Sequence, residues 1–454
     1  MGGPGMDASA PRPVVRAVER RRTWLAGLIL CLGGCGTEPA APDSSQAGAH
    51  AGAQDVHGGR DNSDWARGVE GFWTVDRRAA GTEEERRAAA ALEGIGYAGA
   101  FEAAPAASGV ILHDPQRVQA GLNLYTSGHA PEASLIDMQG SVLHTWRLDY
   151  GAIPAAPAAE NPMTSGAWRR AALLPDGSLL ALFEGLLLVK VDRDSNLVWQ
   201  FDGNPHHDLE LQPDGTIYVL TRRSVFRRGL HPERPILEDF VSVLDDDGRE
   251  LRRVSLIECF RNSDFREILS GRPRRAGDIF HTNTIEVLDG RLSDRSSAFR
   301  AGNVLLSFRH LNAIAVVDLD QKRVVWAVQG PWVAQHQPTV LENGNLMLFD
   351  NSGYGGSSQI IEFDPLSLEQ VWTYRADPPE DFFSVYCGSN QRFGNGNTLI
   401  SDSCSGRAFE VTDAGEIVWE FINPHHGGEH GELIAALFEM VRFPEASLSW
   451  LDGR

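Results

Sequence analysis

Three histidines and one arginine are the residues whose types and spacing could do chemistry. His207, His281 and His336 each stand eight or nine residues before the glycine of a tight turn. A neutral imidazole can act as a nucleophile or exchange a proton, and an arginine such as Arg309 can bind an oxyanion through paired hydrogen bonds. Brought together, these four side chains suit a tetrahedral oxyanion such as a sulfate or phosphate ester.

A structural role for each histidine is the alternative. A single histidine at the start of a strand more often makes a structural hydrogen bond than it catalyses a reaction, but three at comparable positions favour a shared site. His310 directly follows Arg309 and is predicted to be structural. Four further histidines are predicted to lie in turns or on the surface: His206, His425, His426 and His430.

The elements that would position these residues form a repeat. From about Gly121 onwards, an apolar run is followed by an acidic turn and a strand that mostly ends in tryptophan, as in Leu135–Trp146. Six copies occur, mostly about 50 residues apart. A second kind of hairpin, with an Asp-Gly or Asn-Gly turn such as Asn343-Gly344, lies between successive copies.

Two hairpins make a four-stranded sheet of about 45 residues, which is the size of a propeller blade. The pattern predicts an all-β fold, a six-bladed β-propeller, with a β-sandwich or two smaller β domains as the alternative. In a propeller, the starts of the first strands and the loops between second and third strands open on one face. We therefore expect Arg169, Arg223 and Asn351 to join the histidines there as substrate-binding residues.

The N-terminal region is typical of an exported bacterial lipoprotein. Residues 1–34 are predicted to be the signal peptide, with Cys35 as the lipidated residue, and the export route is either Sec or twin-arginine. Residues 35–80 are predicted to be a flexible tether, 81–120 a short helical lead-in, and 121–454 the propeller. The mature protein is then expected outside the cytoplasm, at the periplasmic or cell-surface side of a membrane to which its lipid attaches it.

Charge and cysteine content restrict the partners further. The formal net charge is −20, and no basic stripe offsets it, which excludes nucleic acid as a partner. In an oxidising compartment, Cys387 and Cys404 could form a disulfide across one predicted hairpin, or they could be two buried thiols. Cys259 is expected to be structural.

Four motifs, in this order, resemble those of a known family, the bacterial arylsulfate sulfotransferases and their arylsulfotransferase-like relatives. They are His206-His207-Asp208, the segment 278–285, the segment 306–314, and Gln335-His336-Gln337-Pro338 with Leu348-Phe349-Asp350-Asn351. The resemblance spans about 121–444. An N-terminal β-sandwich domain found in better-known members is not expected here, because residues 64–120 are few and helical in pattern.

The resemblance implies a six-bladed propeller, export, and transfer of a sulfuryl group from an aryl sulfate to a phenol without a nucleotide sulfate donor. It implies that His336 is the histidine that becomes transiently sulfated and that His207, His281 and Arg309 hold the sulfuryl group. This assignment depends on choosing His207 over His206. No cofactor and no metal are expected.

Two other functions stay open at this stage. A non-catalytic cell-surface propeller could use the same funnel to bind a ligand or a partner, and it would leave an aryl sulfate intact. A three-histidine metal site is the other alternative, although Arg309 beside the cluster would repel a cation.

Overall fold

The computed structural model describes residues 100–159, 162–227, 229–231, 234–270, 277–427 and 430–451. The signal peptide, Cys35, the tether and the helix expected near 82–93 lie outside the described residues and stay predictions. No helix in the described residues is long and apolar enough to cross a membrane.

Strands dominate the described residues. They are β1 (Ala100–Ala103), β2 (Gly109–His113), β3 (Leu122–Ser127), β4 (Glu132–Ile136), β5 (Val142–Arg147), β6 (Arg170–Leu173), β7 (Leu179–Phe183), β8 (Leu187–Val191), β9 (Leu197–Phe201), β10 (Pro205–Leu211), β11 (Ile217–Val225), β12 (Ile236–Leu244), β13 (Glu250–Ser255), β14 (Gly277–Asp278), β15 (Thr282–Val287), β16 (Val304–Phe308), β17 (Ala313–Asp318), β18 (Arg323–Gln329), β19 (His336–Val340), β20 (Leu346–Tyr354), β21 (Ser357–Phe363), β22 (Gln370–Tyr374), β23 (Ser389–Arg392), β24 (Thr398–Asp402), β25 (Arg407–Val411), β26 (Ile417–Ile422), β27 (His426–Gly427), β28 (Leu433–Ala435) and β29 (Leu437–Phe443).

Helices are few and short. The α-helices are α1 (Pro162–Ser165), α2 (Leu256–Arg261) and α3 (Arg266–Ser270), and single 3₁₀ turns lie at Tyr150–Ala152, Ser297–Phe299, Arg309–Leu311, Pro379–Asp381, Glu445–Ser447 and Ser449–Leu451. The all-β expectation is confirmed.

Six antiparallel sheets, each built on four strands, make up most of the described residues. Sheet I has the order β29-β3-β4-β5, so its first strand comes from the C-terminal end of the chain. Sheets II to VI follow as β6–β9, β10–β13, β15–β18, β19–β22 and β23–β26, each in sequence order. Strand β14 adds to sheet III in parallel with β12, and a separate small sheet has the order β1-β28-β27.

The hydrophobic core lies between successive sheets. One apolar cluster joins sheets I and II, another joins II and III, and the series continues through III and IV, IV and V, and V and VI. The last cluster, which includes Trp419 and Met440, joins sheet VI back to sheet I. The six sheets therefore pack in a closed cycle. Strand β29, from the C-terminal end of the chain, belongs to sheet I and takes part in the contact that closes this cycle.

The recurring tryptophans connect neighbouring sheets. The indole Nε1 of Trp146 in sheet I donates to Gly177 O in sheet II at 2.9 Å, and that of Trp419 in sheet VI donates to Met138 O beside sheet I at 3.0 Å. Both side chains are fully buried. These tryptophans satisfy their one donor across the interface while filling it, so they are packing residues as expected.

The described part of the predicted helical lead-in is wrong. Residues 100–103 and 109–113 are strands β1 and β2, and β2 pairs antiparallel with β26 at the edge of sheet VI. Without β2, strand β26 would be an unpaired edge of sheet VI. The backbone hydrogen bonds that this edge offers favour an extended chain over a helix in the aliphatic segment Gly109–His113.

Candidate active site

Strands β10 and β15, the first strands of sheets III and IV, begin with irregular backbone. His207 and His281 adopt positive φ angles of 56° and 50°, and the strand register slips beside both residues. Such conformations cost free energy for residues other than glycine and concentrate at functional sites. In β19 the corresponding positive φ, 47°, falls on Gln337 rather than on His336. The three histidines thus do not occupy one equivalent position, although all three are buried.

His207 and His281 meet directly. Their Nε2 atoms are 3.1 Å apart, so one proton must lie between them. The opposite nitrogen of His281, Nδ1, is 2.7 Å from Asp278 Oδ2, and Asp278 Oδ1 accepts the backbone N–H of His281 at 2.7 Å. Asp278 therefore fixes the orientation of the His281 ring from both ends of its carboxylate.

His206 is part of this cluster rather than a turn or surface residue. It is 1 % exposed, and its Nδ1 lies 2.9 Å from Nδ1 of His207. The carboxylate of Glu184 lies against the same side of His207, with Oε2 accepting the backbone N–H at 2.8 Å and Oε1 lying 3.4 Å from Nδ1. The expectation for His206 was wrong because β10 begins at Pro205, one residue before it, which places both histidines within the sheet.

His336 is held by Asn351. The amide Nδ2 of Asn351 donates to Ser384 O at 2.7 Å and to Cys387 O at 2.6 Å, so its Oδ1 must face His336. Nδ1 of His336 lies 2.8 Å from that Oδ1 and 3.0 Å from Ala334 O, and both of these atoms can only accept. The proton of a neutral His336 therefore sits on Nδ1, and its Nε2 keeps a free lone pair.

This geometry corrects the role expected for Asn351. The residue is fully buried, and every polar atom of its side chain is engaged with the protein. It positions His336 instead of binding substrate.

Burial and two nearby cations keep His336 neutral. Burial is the largest cause and the Arg309 guanidinium the next, together lowering the pKa of His336 to about 3, while Asn351 opposes the shift. Arg169 adds to the lowering. His336 in turn contributes to lowering the pKa values of His207 and His281, for which burial is the main cause. The three imidazoles and two guanidinium groups therefore share one electrostatic environment.

We expect His336 not to titrate between pH 5 and pH 8. Its lowered pKa means that the ring gains a proton only near pH 3, whereas an unfolded histidine does so near pH 6.5. Nuclear magnetic resonance of histidine labelled with ¹⁵N, assigned with His336→Gln, should show Nδ1 protonated and Nε2 bare across this range. A midpoint near pH 6 would contradict the geometry. Since unfolded histidine takes up the proton first, His336 also makes folding less stable as the pH falls below about 6.5.

Within the described residues, Arg169 and Arg309 form no direct ion pair with a carboxylate, although Asp278 acts on the pKa of Arg309 from a distance. Arg169 is 9 % exposed, its guanidinium lies 5.0 Å from the centre of the Phe438 ring, and its buried Nε has no hydrogen-bond partner. Arg309 donates to Val385 O at 3.3 Å, and its guanidinium lies 5.7 Å from the centre of the Tyr386 ring. Burial lowers the pKa of Arg309. Unneutralised buried guanidinium groups create a strong preference for an anion.

Other buried arginines show that this is not the rule in the protein. Arg170 pairs with Asp208 at 2.7 Å and also with Glu439. Arg222 pairs with Glu184 at 2.9 Å, and Arg442 pairs with Glu410. The two arginines beside His336 are thus left for a ligand.

Arg223 is not brought to the buried cluster, and its predicted substrate contact stays a prediction. It is exposed, whereas the preceding residue, Arg222, is 2 % exposed and acts on the pKa of His206 and His207. Neighbouring residues of a strand point to opposite faces, and both arginines belong to β11. The sequence located the arginine pair correctly but not the member that faces the site.

The predicted disulfide is not formed. Cys387 and Cys404 are buried free thiols, as is Cys259. Cys404 Sγ contacts Tyr386 O at 3.6 Å instead, and burial raises the pKa of both Cys387 and Cys404. Of the two alternatives, the buried thiols hold.

Metal-ligand geometry exists at three places in the described residues, where ligand atoms lie within 4.8 Å of one another. Two of these places belong to the histidine cluster, and the third is His129, Glu132 and His425. In the cluster, ring nitrogens already face one another or a carboxylate, and Arg222 and Arg309 act on the same groups. The chemistry of the cluster therefore suits hydrogen-bonded imidazoles that receive an anion.

The structure adds two carboxylates, Asp278 and Asp239, that the sequence did not assign to the site. His310, predicted to be structural, lies with its ring centre 4.6 Å from that of His281 and contacts Asp278 O. Only Asp278 left a signal, since it stands three residues before His281 within one of the quoted motifs.

Known proteins resemble the chain to different degrees. A protein of unknown function from Bacteroides caccae is 11 % identical, with a TM-score of 0.47, covering 72 % of this chain and 100 % of that one. A streptogramin B lyase and the WD40 β-propeller domain of Doa1 are each 12 % identical, covering 76 % of this chain and 97 % of theirs, with TM-scores of 0.41 and 0.40. No curated protein sequence matches.

Family membership follows from the sequence profile that matches the inner strands and the histidine cluster. The profile described as Arylsulfotransferase (ASST) aligns with residues 170–424, more than half of the chain, and so contains His207, His281, Arg309 and His336. The chain therefore belongs to the arylsulfotransferase family and is a sulfotransferase enzyme.

Proposed function

We propose that this enzyme moves a sulfuryl group from an aryl sulfate to a phenol through a sulfohistidine at His336, without a nucleotide sulfate donor. One observation carries the proposal: a neutral imidazole with a bare Nε2 shares its site with Arg169 and Arg309, two guanidinium groups that form no direct ion pair with a carboxylate among the described residues. A nucleophile beside an anion site is what sulfuryl transfer requires.

The fold assigned to this function is a six-bladed β-propeller. Six four-stranded sheets and their cyclic packing support it, with the N-terminal and C-terminal strands sharing sheet I. In such a ring the inner strands β10, β15 and β19 surround one axis, which accounts for the meeting of histidines from three sheets.

In the first half-reaction, Nε2 of His336 attacks the sulfur of the aryl sulfate. The nitrogen–sulfur bond forms while the bond from sulfur to the phenolic oxygen breaks, and the electron pair leaves on the phenolate. Arg169 and Arg309 stabilise the sulfuryl oxygens. The sulfated ring gains positive charge, which Asn351 Oδ1 and Ala334 O stabilise through the Nδ1 proton.

In the second half-reaction, the oxygen of an acceptor phenol attacks the same sulfur and releases His336. The departing phenolate must gain a proton in the first half, and the acceptor phenol must lose one in the second. The His207–His281 pair, which holds one proton between its two Nε2 atoms, is suited to both transfers.

Mass spectrometry of the enzyme tests the proposal. We expect incubation with 4-nitrophenyl sulfate alone to release 4-nitrophenol and to add one sulfuryl group to the peptide that contains His336. Adding phenol should remove the group and yield phenyl sulfate. A second candidate function, non-catalytic ligand binding, would leave the aryl sulfate intact and the peptide unmodified.

A further inference from the structure

His206 contacts Nδ1 of His207, and Asp239 lies near Nε2 of His206. Neither residue is assigned a role in the two half-reactions of sulfuryl transfer. Nε2 of His206 is buried with no hydrogen-bond partner, and it lies 4.0 Å from Asp239 Oδ1. The other oxygen of Asp239, Oδ2, accepts from the backbone N–H of Thr282 at 3.0 Å and from its Oγ1 at 2.6 Å. Asp239 is thus held by one oxygen, and its other oxygen faces His206.

The hydrogen bonds determine the tautomers of three histidines in succession. An ionised Asp278 accepts the Nδ1 proton of His281, so Nε2 of a neutral His281 must accept from His207. Nδ1 of His207 must then accept from Nδ1 of His206, because each nitrogen–nitrogen contact holds one proton. A neutral His206 is left with a bare Nε2 facing Asp239.

All three rings are kept neutral by their surroundings. Burial is the main cause that lowers the pKa of each of them well below that of free histidine. Arg222 lowers the pKa of His206 and His207 further, and neighbouring histidines do so for His207 and His281, while a backbone contact with Thr221 opposes the shift at His206. Burial also raises the pKa of Asp239, with the nearby Asp278 adding to the effect, which favours a proton on Oδ1, the oxygen that faces His206 and accepts neither bond from Thr282.

We propose that His206 and Asp239 form a buried proton relay. The relay gives a proton to the leaving phenolate through His207 and takes one back from the acceptor phenol. The inference rests on the proposed sulfuryl transfer and extends it, since it names the source of the proton. His206 does not touch the substrate; it acts through His207.

The relay conserves protons at each step. As the phenolate leaves, the Nε2 proton of His207 passes to the phenolic oxygen, the Nδ1 proton of His206 passes to Nδ1 of His207, and the Asp239 proton passes to Nε2 of His206. Asp239 becomes a carboxylate. The 4.0 Å gap must shorten by about 1 Å for the last transfer, since a hydrogen bond of this kind is about 3 Å long.

After this step the contacts of His206 with His207 and with Asp239 have reversed, while the contact between His207 and His281 has given up its proton and leaves Nε2 of His207 bare. It can then take the proton of the acceptor phenol, which returns all three protons to their first positions. Arg222 acts on the pKa of both Asp239 and His206, so it stabilises the Asp239 carboxylate between the two half-reactions. The store of one proton closes the cycle without exchange with solvent.

The test compares two donors that differ in the basicity of their leaving group. The phenol released from phenyl sulfate has a pKa of about 10, as tyrosine does, so its phenolate needs a proton as it leaves, whereas 4-nitrophenolate is far less basic. In His206→Asn, the amide can keep a hydrogen bond to His207 but cannot pass a proton on. We expect the rate with phenyl sulfate to fall by about 10²-fold, and that with 4-nitrophenyl sulfate by less than about 10-fold.

Two further variants complete the design. Asp239→Asn should show the same selective loss, which covers the case that His206→Asn does not fold. His425→Asn, at a ring that stacks on His129 with centres 3.4 Å apart, should change neither rate.

The outcomes separate the relay from the function it serves. Equal losses with both donors, or no loss with either, would overturn the relay while leaving a sulfated His336 in the wild-type enzyme. A wild-type enzyme that never forms sulfated His336 would overturn the proposed function, and the relay with it.

Discussion

Replacing His336 with alanine should abolish sulfuryl transfer, with a loss of about 10⁶-fold, the scale seen when an enzyme loses its covalent nucleophile. The reason is that Arg169 and Arg309 can still bind the sulfate ester, but no atom remains to attack the sulfur. Release of 4-nitrophenol and formation of phenyl sulfate should both disappear together. Binding of the donor, measured by calorimetry, should persist, because the guanidinium groups belong to other segments, Arg169 just before β6 and Arg309 in the 3₁₀ turn after β16.

The control for this variant is His425→Ala, which removes an imidazole outside the cluster. It should transfer at the wild-type rate, and both variants should keep wild-type circular dichroism. Should His336→Ala keep a rate within about 10-fold of the wild type, covalent transfer through His336 would be wrong. The chain would still belong to its family, but the nucleophile would have to be sought elsewhere.

Replacing Asp278 with asparagine should lower the turnover number by about 10³–10⁴-fold. The oxygen of the amide can still accept the backbone N–H of His281, but its NH₂ group then faces Nδ1 of His281 and moves the proton to Nε2. This is the wrong tautomer for accepting from His207, as it is when the aspartate of a serine-protease triad becomes asparagine. The Michaelis constant should change little, because Asp278 holds no substrate group.

Steady-state kinetics with Asp194→Asn as the matched surface control checks this result, since Asp194 is exposed in a turn. A fall in donor affinity at an unchanged turnover number would show that Asp278 supports binding and not proton transfer. If the variant is unfolded at the assay temperature, its lost activity would show that the hydrogen bonds of Asp278 are chiefly structural.

The sequence by itself determined the strands, the turns and the motifs. The position of Gly344 requires a left-handed backbone, with a φ of 83°, so the local sequence alone determines that turn. Trp146 and Trp419 could be identified as packing residues because their recurrence matched the repeat. His207, His281 and His336 were placed at the starts of inner strands for the same reason, and the structure buries all three.

Tertiary structure alone decided which side chains serve the site and in which protonation state. A register slip lies in β10 between Pro205 and Leu209, where His206 joins the cluster beside His207. In β11, the alternation of side chains buries Arg222 and leaves Arg223 exposed. Asn351 could be identified as the residue that orients His336 only once its amide was seen to contact Ser384 and Cys387. The histidine tautomers and the unpaired arginine charges depend on partners from distant parts of the chain. The amino-acid sequence does not give the distances between these partners.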